Sequence, residues 1–448
     1  MAYVVERLAT WAERFRGEAL ATGLAHHAKR AVVDLHAAML SGAVAPPATL
    51  LERALAEELD RGKARLALGR RATARAAALI NGTAAHTTEV DDIFRDGIFH
   101  PGAATIPAAL AAAQARGASG LQFVRAVIVG YEISTRIGAA MGRAHYRYWH
   151  NTGTIGCFGA CAAVADLLGL DATRFAHALA TVATFSAGLQ QAFRTDSMSK
   201  PLHAGRAAEA GLTAALAAAE GVTGSLDVLE GEAGFGKAMG DGPDWDRALG
   251  ALGRDFHTAR VTVKNHACCG HAFAAIDGAL ALKARMGVTA ADIRHVAVGT
   301  YKAALDVAGC EDPRTEAEGR FSLKYVIATA LMHGSVRIAA FAPDRLGEAA
   351  TRALMNEVEV VVDPALDAGF PAQRAARVTI ETRDGRRETF LQPTRVGDPD
   401  DPLSDEQLDA KFRELATPAL GAARAEALLE RLWRLDALAS VDALGGPE

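Results

Sequence analysis

Between Asn81 and Pro107 the chain reads NGTAAHTTEVDDIFRDGIFHPGAATIP, which sets one imidazole and three carboxylates (His86, Glu89, Asp91, Asp92) just ahead of a second imidazole, His100. The flanking segments are Ala-rich and read as buried helix, so this polar knot has no packing purpose, and titratable groups crowded onto a connection mark a site. Further polar islands interrupt the apolar segments. Tyr148–Thr154 (YWHNTGT) carries His150, Ser197–His203 (SMSKPLH) carries Lys200 and His203, Lys264-Asn265-His266 runs on to Cys268-Cys269-Gly270-His271, and Arg320–Tyr325 (RFSLKY) carries Tyr325. Each island sets His, Lys or Tyr at a helix start or strand end, and free N–H groups at helix starts favour anions. The combination suits a substrate with two or three carboxylates. It also supplies the acid and base that move a proton beside a carboxylate, with lysines and backbone donors to steady the enediolate-like anion.

The elements that must position these groups follow from periodicity. Helical spacing predicts helices over 25–39, 102–114, 123–138, 155–168 and 204–219, with Gly159 and Gly211 allowing close approach. Near His257 the character changes. Residues 259–263, 293–300, 358–362 and 377–381 are rich in β-branched residues, and Asp384-Gly385 predicts a hairpin over 376–391. Helices over 272–286 and 322–332 are interleaved with them. From Ser404, a good N-cap, the helical pattern returns. The expectation is therefore a mainly α protein. A large all-helical domain spans 1–255 with 395–448 packing back on it, and a smaller α/β domain spans 256–394.

Composition excludes other classes. The 448 residues carry 48 basic and 53 acidic side chains, a formal net charge of −5, interspersed without a polybasic run, so neither nucleic acid nor a membrane surface is an expected partner. No apolar run reaches the length of a membrane span, and the charged N-terminus is not a signal peptide. Five cysteines without CxxC spacing fit a reduced cytoplasmic compartment and neither zinc nor iron–sulfur ligation. GEAGFGK at 231–237 has P-loop glycine spacing, but Ala238 stands where the hydroxyl would hold magnesium, and it reads as a turn-rich loop. The acidic knot matches no standard metal signature, so no metal is expected.

The order of NGTAAHTTEVDD…HPG, GYEISTRIG, WHNTGTIGCFGA, SKPLHAGRAAEAG, LEGEAGFG, KNHACCGHAFAAID, RFSLKYVIATAL and PLSDEQLDAKF resembles the MmgE/PrpD family over nearly the whole chain. The resemblance implies an all-helical domain with an α/β lid, a homodimer, no cofactor, and a lyase or isomerase acting on a small di- or tricarboxylic acid. First comes dehydration of the 2-methylcitrate dehydratase type, with iminodisuccinate-type epimerisation or cis-aconitate-type decarboxylation as alternatives. By motif it implies catalytic roles for Glu89, Asp92, His100, His150 and Tyr325, and substrate binding by Lys200 and Lys264. Relatives often have an Asp where Glu89 stands, and Pro with polar residues where Ala267 and Cys268-Cys269 stand. A silent carboxylate binder on the same scaffold would have lost these side chains; all are present.

Overall fold

The structure, a computed structural model, describes residues 2–193, 197–370 and 372–444. The chain divides into two compact units, Met1–Val263 with Ser404–Glu448, and Lys264–Leu403.

The first unit is a helical assembly built on Thr22–Ala43, Ala74–Thr87, Pro101–Arg116, Gly120–His145, Gly156–Leu167 and Ser199–Ala219. Local chemistry sets their ends. Thr73 accepts from the Ala76 N–H, Ser119 closes a capping box with Gln122, and Pro101 opens its helix at a position whose N–H needs no partner. Pro101–Arg116 is buried continuously from Pro101 to Gln114, which is why it has no polar stripe. Ala74–Thr87 lies against Ser199–Ala219, and glycine makes the approach possible. A Cβ on Gly205 would stand 2.2 Å from the Leu79 carbonyl oxygen, and one on Gly82 2.9 Å from the Gly205 Cα. This crossing brings the start of one helix (Lys200, His203) to the end of the other (His86). Gly211 does the same against Ala160, with 2.5 Å for its Cβ.

Two local expectations change here. A two-stranded ribbon, Leu59–Arg65 with Arg71–Ala72, interrupts the helical unit. Its strand LDRGKAR shows no alternation of apolar residues, and buried amides hold it instead. Gln114 accepts from the Arg65 N–H at 2.9 Å, and Asn81 both accepts from the Ala67 N–H and donates to the Arg65 carbonyl, each at 2.9 Å. Residues 259–263 form no strand. His257–Arg260 is a 3-10 turn, and only Thr262 finds a ladder partner, Ile93, in an isolated bridge. That bridge and the His257 stack on Phe94 keep this stretch with the first unit, so the boundary falls after Val263 rather than at 255. The GEAGFGK loop ends in a short helix, Phe235–Met239, after turns.

Ser404 caps Asp405–Leu420 in a capping box with Gln407, and this helix packs on Thr22–Ala43. Residues 395–403 stay with the second unit, where the Val396 N–H donates to Asp277. That unit has a four-stranded mixed sheet in the order Val358–Val362, Ile293–Thr300, Ala376–Thr382, Arg387–Gln392, parallel in the first pair and antiparallel after it. The last two strands form the expected hairpin, with Gly385 at φ 88°. Helices Phe273–Met286 and Leu323–His333 complete the unit. Among the described residues no single helix is long and apolar enough to cross a membrane.

The core carries an acid-sensitive element. His36 is buried, donates Nδ1–H to the Val32 carbonyl at 2.8 Å, and burial lowers its pKa to about 4. The unfolded chain takes up a proton near pH 6.5 that the folded chain refuses, so stability is full above that pH and falls as pH drops toward 4. The expected loss from His36 alone is about 3 kcal/mol. Urea midpoints measured from pH 7 to pH 4 should fall steadily, and His36→Gln should flatten part of that slope.

Candidate active site

The first unit gathers five of the seven residues singled out in the sequence. His86 is the last buried residue of Ala74–Thr87, and the chain leaves that helix through Glu89, whose backbone sits at φ 59°. A non-glycine residue in the left-handed region is uncommon and persists only where its surroundings fix it. At this turn the Lys200 ammonium pairs with the Glu89 carboxylate. The turn then sends the two adjacent aspartates in different directions.

Asp91 points into a cluster of imidazoles. Its Oδ2 lies 2.7 Å from His86 Nδ1 and 3.3 Å from His100 Nδ1, and both Asp91 and His86 are fully buried. The His86 ring meets His100 edge-on at 4.7 Å between centroids and stacks on His150 at 5.3 Å. His150 in turn has its Nδ1 3.0 Å from His203 Nδ1. Burial holds the His150 pKa well below 6.5, and the neighbouring charges of His86 and Lys200 act the same way. It is therefore a neutral imidazole at neutral pH, the form that accepts a proton. His100, the N-cap residue of Pro101–Arg116, donates its backbone N–H to Thr152 Oγ1 at 3.2 Å, and Asn151 donates to the Gly97 carbonyl at 2.7 Å. These two bonds tie the His100 and His150 loops together. The helix that follows His150, Asn151–Thr154, is a single turn, so the anion-binding terminus expected there is too short to count.

Asp92 does not orient an imidazole. Its carboxyl accepts from the Tyr131 hydroxyl at 2.8 Å and from the Gly102 N–H at 3.1 Å, and burial pushes its pKa up to about 8 despite both bonds. Asp91, not Asp92, is the carboxylate that meets the imidazoles. Asp92 is a mostly neutral acid at pH 7 that supports the start of the His100 helix. A folded pKa above the unfolded value gives stability that is full below about pH 4 and lost as pH rises toward 8. Asp92→Asn, which copies the neutral acid, should therefore raise stability at pH 7 by about 2–4 kcal/mol and change nothing near pH 4. Thermal melts at the two pH values check this; a less stable variant at pH 7 would mean an ionised Asp92.

Lys264 and Tyr325 belong to the second unit. Lys264 is buried, at 5% exposure, within electrostatic reach of the Cys268 and Cys269 thiols. The Tyr325 hydroxyl donates to the Ala340 carbonyl at 2.5 Å, and burial raises its pKa. His266 is held by Asp277 at 2.9 Å, whose other oxygen accepts from Val396. His271 bonds the Tyr301 hydroxyl at 2.9 Å. Both histidines have scaffold partners.

His86, Asp91 and His203 were not assigned roles in the sequence, although His86 and Asp91 stand in the knot itself. A histidine five residues before an aspartate fits many helix ends, and only the turn at Glu89 makes them partners. One ligand atom from each of His86, Asp91 and His100 lies within 4.8 Å of the others, so the same triad has the donors for a cation.

Residues 6–248 match the MmgE/PrpD N-terminal domain and residues 266–435 the MmgE/PrpD C-terminal domain. The chain is 28% identical over 468 aligned positions to a cis-aconitate decarboxylase-like protein, oryM, of Aspergillus oryzae, covering 98% of this chain and 96% of that protein. It is 27% identical to a cis-aconitate decarboxylase of Aspergillus terreus, with 98% and 95% covered. Similarity to the human cis-aconitate decarboxylase is 27% identity, over 81% of this chain and 76% of that protein. The two domain matches follow one another across the sequence and take in the motifs described above apart from Lys264-Asn265, which fall between them: the chain belongs to the MmgE/PrpD family.

Proposed function

We propose that this protein is a cofactor-independent lyase that works by proton transfer beside a carboxylate of a small di- or tricarboxylic acid. The observation that carries the reading is the run of imidazoles His100, His86, His150 and His203, of which His86 and His150 are buried, with Asp91 against His86 and His100 and Lys200 nearby. Imidazoles that differ in burial, with one carboxylate against two of them, can hold a base and an acid in different protonation states at the same pH. Lys200 would bind a substrate carboxylate by exchanging its pairing with Glu89 for the substrate; substrate binding by Lys264 rests on the family resemblance alone. Neutral His150 would take the proton. His100, whose Nδ1 lies 3.3 Å from Asp91 Oδ2, would return one; a part for Tyr325 rests on the family resemblance alone.

Two outcomes share this machinery. In dehydration of the 2-methylcitrate type, His150 takes the α-proton, the C–H electrons form the double bond, and the β-hydroxyl leaves as water with a proton from His100. In decarboxylation of the cis-aconitate type, the C–CO2 electrons stay on the carbon skeleton, which takes a proton from an imidazolium as carbon dioxide departs. The relatives' names favour decarboxylation, since the three described here are cis-aconitate decarboxylases or like them. At 26–28% identity one scaffold can change reaction, and Glu89 sets its carboxylate one methylene further out than Asp would. Epimerisation needs only return of the first proton on the opposite face. A homodimer in a reduced compartment completes the proposal.

The test is product analysis by proton NMR with cis-aconitate, 2-methylcitrate, citrate and iminodisuccinate. Loss of carbon dioxide from cis-aconitate would select the carboxy-lyase; an unsaturated acid formed from 2-methylcitrate would select the hydro-lyase. No conversion of any of the four, with no proton exchange, would reject the lyase reading for this substrate class.

A further inference from the structure

His150 is 2% exposed, so a proton it accepts needs a route onward. Its Nδ1 faces His203 Nδ1 at 3.0 Å. Two imidazoles joined through these atoms share one proton, because one nitrogen must donate and the other accept. The position of that proton decides what His150 can do. With the proton on His150 Nδ1, its Nε2 carries a lone pair and is a base. With the proton on His203 Nδ1, neutral His150 must carry its own on Nε2 and is a donor.

The surroundings preserve this contact. The His150 N–H donates to the Gly188 carbonyl at 2.9 Å. Gly188 sits at φ 132°, and a Cβ there would fall 3.2 Å from His203 Nδ1 and 3.5 Å from the His150 Cβ. Glycine thus leaves room for the two rings to meet. His203 is only half-buried and lines a cavity of about 500 Å³ with Ala187, Gly188, Leu189, Ser199 and Arg206. Leu189 on the wall is 57% exposed, so the cavity reaches the surface.

We propose that His203 is the proton relay of His150, linking the buried base to solvent through this cavity. The proposal rests on His150 being the base of the proposed reaction. When His150 Nε2 takes a proton from a substrate carbon, its Nδ1 proton passes to His203 Nδ1, and His203 Nε2 releases its own proton to water in the cavity. Each ring gains and loses one proton, and the pair ends in the opposite tautomer. The reverse transfer resets it. His203 acts through His150 and is a positioning residue.

The test has one arm without substrate and one with it. In protein labelled with 15N-histidine, a through-hydrogen-bond 15N–15N coupling between the two Nδ1 atoms is expected, lost in His203→Gln. Absence of that coupling in the unsubstituted protein would overturn the relay. In turnover, His203→Ala should lower kcat at least about tenfold, as loss of a proton-transfer group does, with little change in KM. Added imidazole, which fits the cavity, should restore His203→Ala but not His203→Gln, whose side chain fills the space. A kcat for His203→Ala within about twofold of the parent would also overturn it. If the parent converts no acid tried, the reaction assignment fails, and the coupling still decides whether the pair shares a proton.

Discussion

His150→Ala is expected to lower kcat by about a hundredfold or more, and Lys200→Ala by a similar factor, with the fold intact in both. The two losses have different origins. His150 is a buried neutral imidazole stacked on His86 and joined to His203, so removing it takes away the proton acceptor and should leave KM nearly unchanged. Lys200 pairs with Glu89 at a partly exposed edge. Its removal takes a cation from the substrate carboxylate and should raise KM as well as lower kcat. Lys200→Arg should restore less than charge alone implies, because a planar guanidinium cannot present its donors as an ammonium does. Steady-state kinetics with circular dichroism as the fold control checks both. Unchanged turnover in both variants would refute the site.

Lys411→Met is expected to cost about 3–5 kcal/mol of stability, the range for leaving a buried charge without its partner. Lys411 is 1% exposed and Asp34 fully buried; the ammonium donates to the Asp34 carboxylate and, at 2.8 Å, to the Val90 carbonyl. Burial raises the Asp34 pKa, and Lys411 opposes that shift. The double variant Asp34→Leu with Lys411→Met should recover most of the loss, since an apolar pair of similar size is often neutral or better than a buried ion pair. Val90 lies between Glu89 and Asp91, so Lys411 also pins the turn that aims both carboxylates. The single variant should lose activity below its melting temperature, beyond what its unfolded fraction explains. Urea unfolding of the two variants, with activity measured at low temperature, separates the two effects.

Lys411 also marks where the sequence stops being informative. It reads as one charge in SDEQLDAKFREL, and nothing local says that it folds in against a residue 377 positions away. Helices with continuous apolar faces, such as Pro101–Arg116, and the Asp384-Gly385 hairpin were legible because each is specified by neighbours a few residues apart. The Leu59–Arg65 strand was not, because buried Asn81 and Gln114 hold its edge. The ARVTV stretch was misleading for the opposite reason: strand propensity needs a neighbouring edge, and only Thr262 has one. At the site, His100, His150 and Lys200 stand out in the sequence by residue type, and the structure brings them near one another, while Asp92 turns away to Tyr131 and Gly102. Which of two adjacent aspartates meets the imidazoles depends on the left-handed turn at Glu89, and the same composition leaves that open. The His150–His203 contact needs Gly188, from a third segment, to leave space for it.

The most direct test of His150 as the base is proton NMR of the candidate acids incubated with the purified protein in deuterium oxide. Deuterium is expected to enter beside a carboxylate at a rate that falls at least about a hundredfold in His150→Ala. Exchange that persists unchanged in His150→Ala would contradict it, because the proton would then be moved by another group.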